Sequence, residues 1–161
     1  MSMDDLERAL VLVAEHPDKA DFVGPRSETL VRKAEDALGL RFSPTYRRFV
    51  SELGAGSFGA DEFYGVIKDD FLNSSVPDAV WVTLHRRSQG SAPSGLVFVY
   101  GVGEGTMLVL DARGGELEHP VVEWGIFSQP GDSLSAAAPD FGRFFLETVQ
   151  RALGVEEDDD A

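Results

Sequence analysis

Histidine, serine and the carboxylates are the side chains through which this sequence could do chemistry, because it contains no cysteine. That absence removes disulfide frameworks, thiolate zinc sites, iron–sulfur clusters and cysteine nucleophiles together. His16, His85 and His119 are far apart along the chain, and none stands in an H-E-x-x-H or comparable metal-ligand spacing. No serine occupies a G-x-S-x-G elbow, so nucleophilic serine chemistry has no local support. Gly101-Val102-Gly103-Glu104-Gly105-Thr106 superficially resembles a phosphate loop, but no lysine follows the last glycine and the flanks read as strands. A phosphate cradle needs a helix N-terminus opening there.

The carboxylates remain. Asp61-Glu62, Asp69-Asp70 and Glu104 could form acid–base pairs or a cation site. A general acid needs a pKa raised by burial, whereas these residues sit in segments read as wet loops. No catalytic residue, cofactor or metal site is therefore expected, and the chain does not read as an enzyme. The same carboxylates suit contact with a basic protein. Asp61, Glu62, Asp69, Asp70, Glu104 and Glu123 are the candidate partner-binding residues.

The charge balance points the same way. Of 161 residues, 28 are acidic and 14 basic, a formal charge of −14. Nucleic acid and anionic membranes are repelled over most of such a surface, so neither is expected as a partner. Five of the acids, Glu156, Glu157, Asp158, Asp159 and Asp160, form a terminal run, yet the rest of the chain is acidic without them. The start, Met1-Ser2-Met3-Asp4-Asp5, is acidic where a signal peptide would be basic, and no apolar run approaches membrane-spanning length. A cytoplasmic location is the expectation. The length and the 43% hydrophobic content suit one domain with a conventional core. We read residues 1–154 as that domain and 155–161 as an acidic, mobile tail.

Several elements must position these groups. Ser2 and Asp5 read as a capping box for a helix over 3–15 with Leu6, Ala9, Leu10 and Val13 inward, ended by His16-Pro17. Residues 18–26 read as a loop. Ser27 opens a second helix with Leu30, Val31, Ala34 and Leu38 inward and Gly39 as its stop. Ser43-Pro44 opens a third, carrying Tyr46, Phe49, Val50 and Leu53 and closed by Gly54. Residues 55–59 read as a glycine-rich turn, 63–67 as a strand and 69–77 as loop.

Residues 79–87 fit two periods, Val80, Val82 and Leu84 alternating as a strand while Val80, Trp81 and Leu84 share a helical face. Runs at 96–100 and 107–110 read as a hairpin around a 101–105 turn, and 121–126, with Trp124 as a core residue, as a further strand. Asp140 caps a closing helix whose inward face is Phe141, Phe144, Phe145, Leu146, Val149 and Leu153. Helices, then strands, then a helix describe an α+β domain with a mixed or antiparallel sheet flanked by helices.

Three stretches together resemble the SMI1/KNR4 superfamily, also called the SUKH group. The first is Ala34-Glu35-x-x-Leu38-Gly39-x-x-Phe42-Ser43-Pro44-x-Tyr46-x-x-Phe49-Val50, running into Leu53-Gly54-Ala55-Gly56-Ser57-Phe58. The second is 96–100 with Gly105 through Asp111, similar to the family's central hairpin and its strand ending in Asp. The third is Val121-x-x-Trp124 with Phe141-x-x-Phe144-Phe145-Leu146, similar to its last strand and closing helix. The resemblance spans residues 27–153. Ser43 stands where a leucine is commoner, and Ala55-Gly56 replaces the usual Asn-Gly-Gly, which leaves that turn's conformation open.

The resemblance implies a several-stranded sheet flanked by helices and tips 79–87 toward a helix. It also implies a protein-binding role, since many bacterial members serve as immunity proteins that neutralise a toxin of a polymorphic toxin system. On that reading the partner is a basic toxin domain, nucleases being a natural class because an acidic protein can imitate the phosphate backbone. The alternative is a regulatory or scaffold module, as among eukaryotic members. A fold by itself does not name a partner.

Overall fold

Polar caps, glycine stops and apolar periodicity divide the chain into the elements of the computed structural model, which describes residues 2–90 and 92–155. In order these are α1 (Ser2–Glu15), β1 (Ala20–Phe22), α2 (Glu28–Leu38), α3 (Pro44–Glu52), β2 (Gly56–Phe58) and β3 (Asp61–Phe63). Then come α4 (Ala79–Ser88), β4 (Leu96–Gly103), β5 (Thr106–Asp111), β6 (Val121–Gly125), β7 (Ala136–Ala138) and α5 (Phe141–Ala152). The acidic run over 156–160 lies outside the described residues.

Caps explain the helix starts. Ser27 Oγ accepts from Leu30 N at 3.1 Å, and Gly39, at φ 71°, turns its N–H back to the carbonyls of Glu35 and Asp36. Asp140 Oδ1 accepts from Arg143 N at 2.8 Å. Asp78 Oδ1 accepts from Val80 N and Trp81 N at 2.9 and 3.0 Å, which resolves the ambiguous segment as helix α4. Two expected caps differ. Ser2 is the first residue of α1, and Asp5 lies near Arg8 and Arg143, at 3.9 and 3.7 Å. Ser43 makes no capping bond; the Glu118 carboxylate, 73 residues on, accepts from Thr45 N at 3.1 Å and from Thr45 Oγ1 at 2.8 Å.

The seven strands form one sheet in sequence order, every neighbouring pair antiparallel. The only parallel pairing among the described residues is an isolated bridge between Gly65 and Asp78. Several strand boundaries correct the sequence reading. The 18–26 loop contains β1, and the glycine-rich stretch at 55–59 contains β2, because Gly56 brings its backbone against Asp21 where a Cβ would lie 2.2 Å from a carbonyl oxygen. The strand expected at 63–67 is instead Asp61–Phe63. After it, Gly65 N donates to Pro77 O and Val66 N to Gly54 O, bonds that take the chain out of the ladder. β4 runs on to Gly103, so the turn is Glu104-Gly105, and β7 had no apolar run to announce it.

A bulge decides which residues face which helices. Phe98 pairs with Val109 but Tyr100 with Leu108, so the extra residue Val99 reverses the alternation between them. Tyr100 therefore meets Phe144 of α5 at a ring separation of 5.4 Å, while Phe98 meets Trp124 at 4.9 Å on the other face. α4 covers that second face: Thr83 Oγ1 accepts from Phe98 N at 3.0 Å, and Arg86 lies 5.5 Å above the Trp124 ring. On the first face Phe49, Phe63, Phe141 and Phe145 pack at 4.8–6.2 Å, joining α3 and α5 to the sheet.

A buried carboxylate ties α2 to α3. Glu35, 2% exposed, accepts from Phe42 N at 2.8 Å and lies 3.4 Å from Arg47 Nε. Arg47 also forks onto Glu28 at 2.9 and 2.8 Å, and these bonds hold the Glu28 carboxyl down to about 2.

Candidate interaction surface

The fold leaves the histidines apart. His16 at the end of α1 bonds the Leu12 carbonyl through Nδ1 at 2.8 Å, and His85 stacks on Trp81 in α4 with the planes 7° apart. His119, 8% exposed, precedes β6, and its Nδ1 is buried without a partner. Among the described residues no group of three or more His, Cys, Asp or Glu side chains is arranged to hold a metal.

Burial pushes the His119 pKa down, against opposing pulls from Glu116 and Asp111. The unfolded chain thus takes up a proton near 6.5 that the folded chain refuses, so His119 costs stability as pH falls through 6.5. We expect urea midpoints of the wild type and His119→Gln to converge as pH drops from 7.5 to 5.5, at no more than about 1.4 kcal/mol per pH unit. A constant gap across that range would show that His119 titrates alike in both states.

The antiparallel register determines where the candidate carboxylates go. Phe63 pairs with Tyr100, Gly103 with Thr106 and Thr106 with Gly125. The start of β3, the β4–β5 turn and the end of β6 therefore share one end of the sheet. Asp61, Glu62 and Glu104 lie at that end, and Glu123 two residues inside it. With strands about 4.8 Å apart, β3 and β6 are only about 14 Å from each other.

Asp61 is half-buried and accepts from the Tyr100 hydroxyl at 2.5 Å; burial and that carboxylate push the phenol up to about 12. Glu62, Glu104 and Glu123 are exposed, and among the described residues none of them has an ion-pair partner. Asp69 and Asp70 are placed elsewhere, beside α2. Asp69 pairs with Lys33 at 3.6 Å, and Asp70 accepts from Asn73 Nδ2 at 3.2 Å.

The hairpin end also carries apolar groups that the sequence reading did not single out. Val102, Ile126 and Phe127 are 58%, 46% and 88% exposed. Ile126 N donates to Gly105 O at 3.0 Å and its side chain lies over Gly105, where a Cβ would come within 3.1 Å. A tight turn follows, with Ser128 N donating to Gly125 O at 2.8 Å and Gly125 N to Ser128 Oγ at 3.1 Å, and it turns Phe127 outward. The sequence places Ile126 only as the last residue of a strand over 121–126, whereas the strand ends at Gly125 and leaves Ile126 exposed.

Other hollows lie away from the hairpin end. Phe71, Leu72, Trp81, Leu84, His85 and Ser88 line one of about 190 Å³ beside α4. Open grooves of about 570 and 550 Å³ run along α1 on either side of Val11.

Residues 28–145 match the family model described as SMI1-KNR4 cell-wall, of the SUKH group, which takes in everything from α2 to the first turn of α5. No curated protein matches the chain. No helix of the described residues is long and apolar enough to cross a membrane.

Proposed function

Because the chain belongs to the SMI1-KNR4 family, we propose that it is a protein-binding domain of the immunity type, which neutralises a basic toxin domain by occupying its surface. The observation that carries this reading is the hairpin end of the sheet, where Glu62, Glu104 and Glu123 stand exposed with no ion pair among the described residues. Unpaired carboxylates gathered toward one end of the sheet raise the local negative potential and draw a cationic surface. A protein surface that binds nucleic acid is such a surface, so a nuclease toxin is the natural target. Action in the cytoplasm, where such a toxin would attack, belongs to the same proposal.

Co-expression with a toxin domain found in the reading frames neighbouring this chain's gene tests the role. Restored growth supports it; undiminished killing, with the chain soluble and in excess, refutes it. The charges can be tested separately. Reversing Glu104 and Glu123 to Lys together should slow association with the toxin domain about tenfold at low salt and leave little difference at high salt. Asp69→Lys with Asp70→Lys should do less, because Lys33 and Asn73 already engage those groups. Equal effects from the two pairs would place the contact away from the hairpin end.

A further inference from the structure

Exposed apolar side chains scattered singly are ordinary on a protein surface, but three at one end of a sheet, beside exposed carboxylates, are not. Val102, Ile126 and Phe127 share the hairpin end of the sheet, since Thr106 pairs with both Gly103 and Gly125 and so sets the ends of β4 and β6 about 10 Å apart. Of the eleven phenylalanines in the chain, Phe127 alone is exposed, at 88%. The other ten are placed in or against the core. The turn hydrogen bonds between Gly125 and Ser128 hold this ring outward.

We infer that the hairpin end docks by inserting the Phe127 ring, flanked by Val102 and Ile126, into an apolar recess rimmed by lysine and arginine on a basic partner protein. The inference rests on the protein-binding reading above and adds what anchors the contact. Charge complementarity selects the occupant. A second copy of this chain would bring Glu104 and Glu123 against their own counterparts, a like-charge contact that costs energy, whereas a basic surface neutralises them. An apolar centre within a charged rim is also how binding energy concentrates: the desolvated aromatic group slows dissociation while the rim steers association.

The test places a photoreactive benzoylphenylalanine at position 127 and, as a control, at exposed Ala37 on α2 in cells that naturally produce the chain. The protein joined at 127 is then purified and titrated with unlabelled variants. Expected are an adduct at 127 and none at 37, with a partner that is basic at its contact surface. Phe127→Ala should weaken binding at least about tenfold, chiefly through faster dissociation, with most affinity kept in Phe127→Leu. Glu104→Lys should act on association. Because the ring is exposed, thermal midpoints of both Phe127 variants should match the wild type.

No adduct at 127 above the control, an adduct between two copies, an acidic partner, or unchanged affinity in Phe127→Ala would each overturn the inference. If Phe127→Ala binds normally while the charge reversals slow association, the apolar anchor is refuted and the protein-binding reading stands.

Discussion

Trp124→Ala is expected to destabilise the fold by about 3–5 kcal/mol, measured as a shift in the urea unfolding midpoint. The ring is 1% exposed and lies between the two layers of the α4 side, edge-on to Phe98 at 4.9 Å and under the Arg86 guanidinium at 5.5 Å. Truncation leaves a cavity that Val109 and Val122, on neighbouring rungs, cannot fill without moving strands. It also removes the cation–π contact with Arg86. Trp124→Phe should cost about half as much or less, because the buried indole Nε1 has no hydrogen-bond partner to lose. A loss under about 1 kcal/mol for the alanine variant would mean that the ring is not part of the core. Equal losses for both variants would mean that the indole nitrogen has a partner after all.

The second large effect concerns a glycine. Gly65→Ala should cost about 3 kcal/mol or more, because a Cβ there would lie 1.8 Å from the Gly54 carbonyl oxygen and 2.9 Å from its carbon. Both contacts are backbone, so no side chain can swing aside. The close approach is held by Val66 N donating to Gly54 O at 3.0 Å, and Gly65 itself bonds Pro77 O at 2.9 Å while its carbonyl accepts from Ala79 N at 2.8 Å. Relief requires that the end of α3 separate from the segment leading into α4, which removes those bonds together. Circular dichroism melts of Gly65→Ala check this, with Gly115→Ala as a comparison: its φ of +80° is strained for alanine, yet open space surrounds it. If the two variants melt alike, the Gly54–Gly65 contact is not a constraint.

Much of the fold was legible because helix ends are local. Ser27 with Gly39, Pro44 with Gly54, and Asp140 are read from a few adjacent residues, and the structure uses them as expected. The Leu96 and Thr106 strands were legible as continuous apolar runs, since both of their faces are covered. Three-residue strands such as β1 and β7 were not. A run that short carries no period, and each exists only because a neighbouring strand offers it hydrogen bonds. The helix at 79–88 lay between, its own periodicity divided and its fate settled by the Asp78 cap and by Thr83 meeting Phe98.

The carboxylates show the same division. Composition and charge by themselves determined an acidic domain without cysteine chemistry, the order of apolar periodicities its α+β class and motif order its family, because these properties belong to residue types and to spacings of a few positions. Tertiary structure alone decided that Asp61, Glu62, Glu104 and Glu123 share one end of the sheet, that Lys33 and Asn73 engage Asp69 and Asp70, and that Phe127 points outward. Strand register and a turn set those placements. Register depends on hydrogen bonds between separate strands, and the turn on the Gly125–Ser128 bonds together with the bond from Ile126 N to Gly105 O, none of which apolar periodicity encodes.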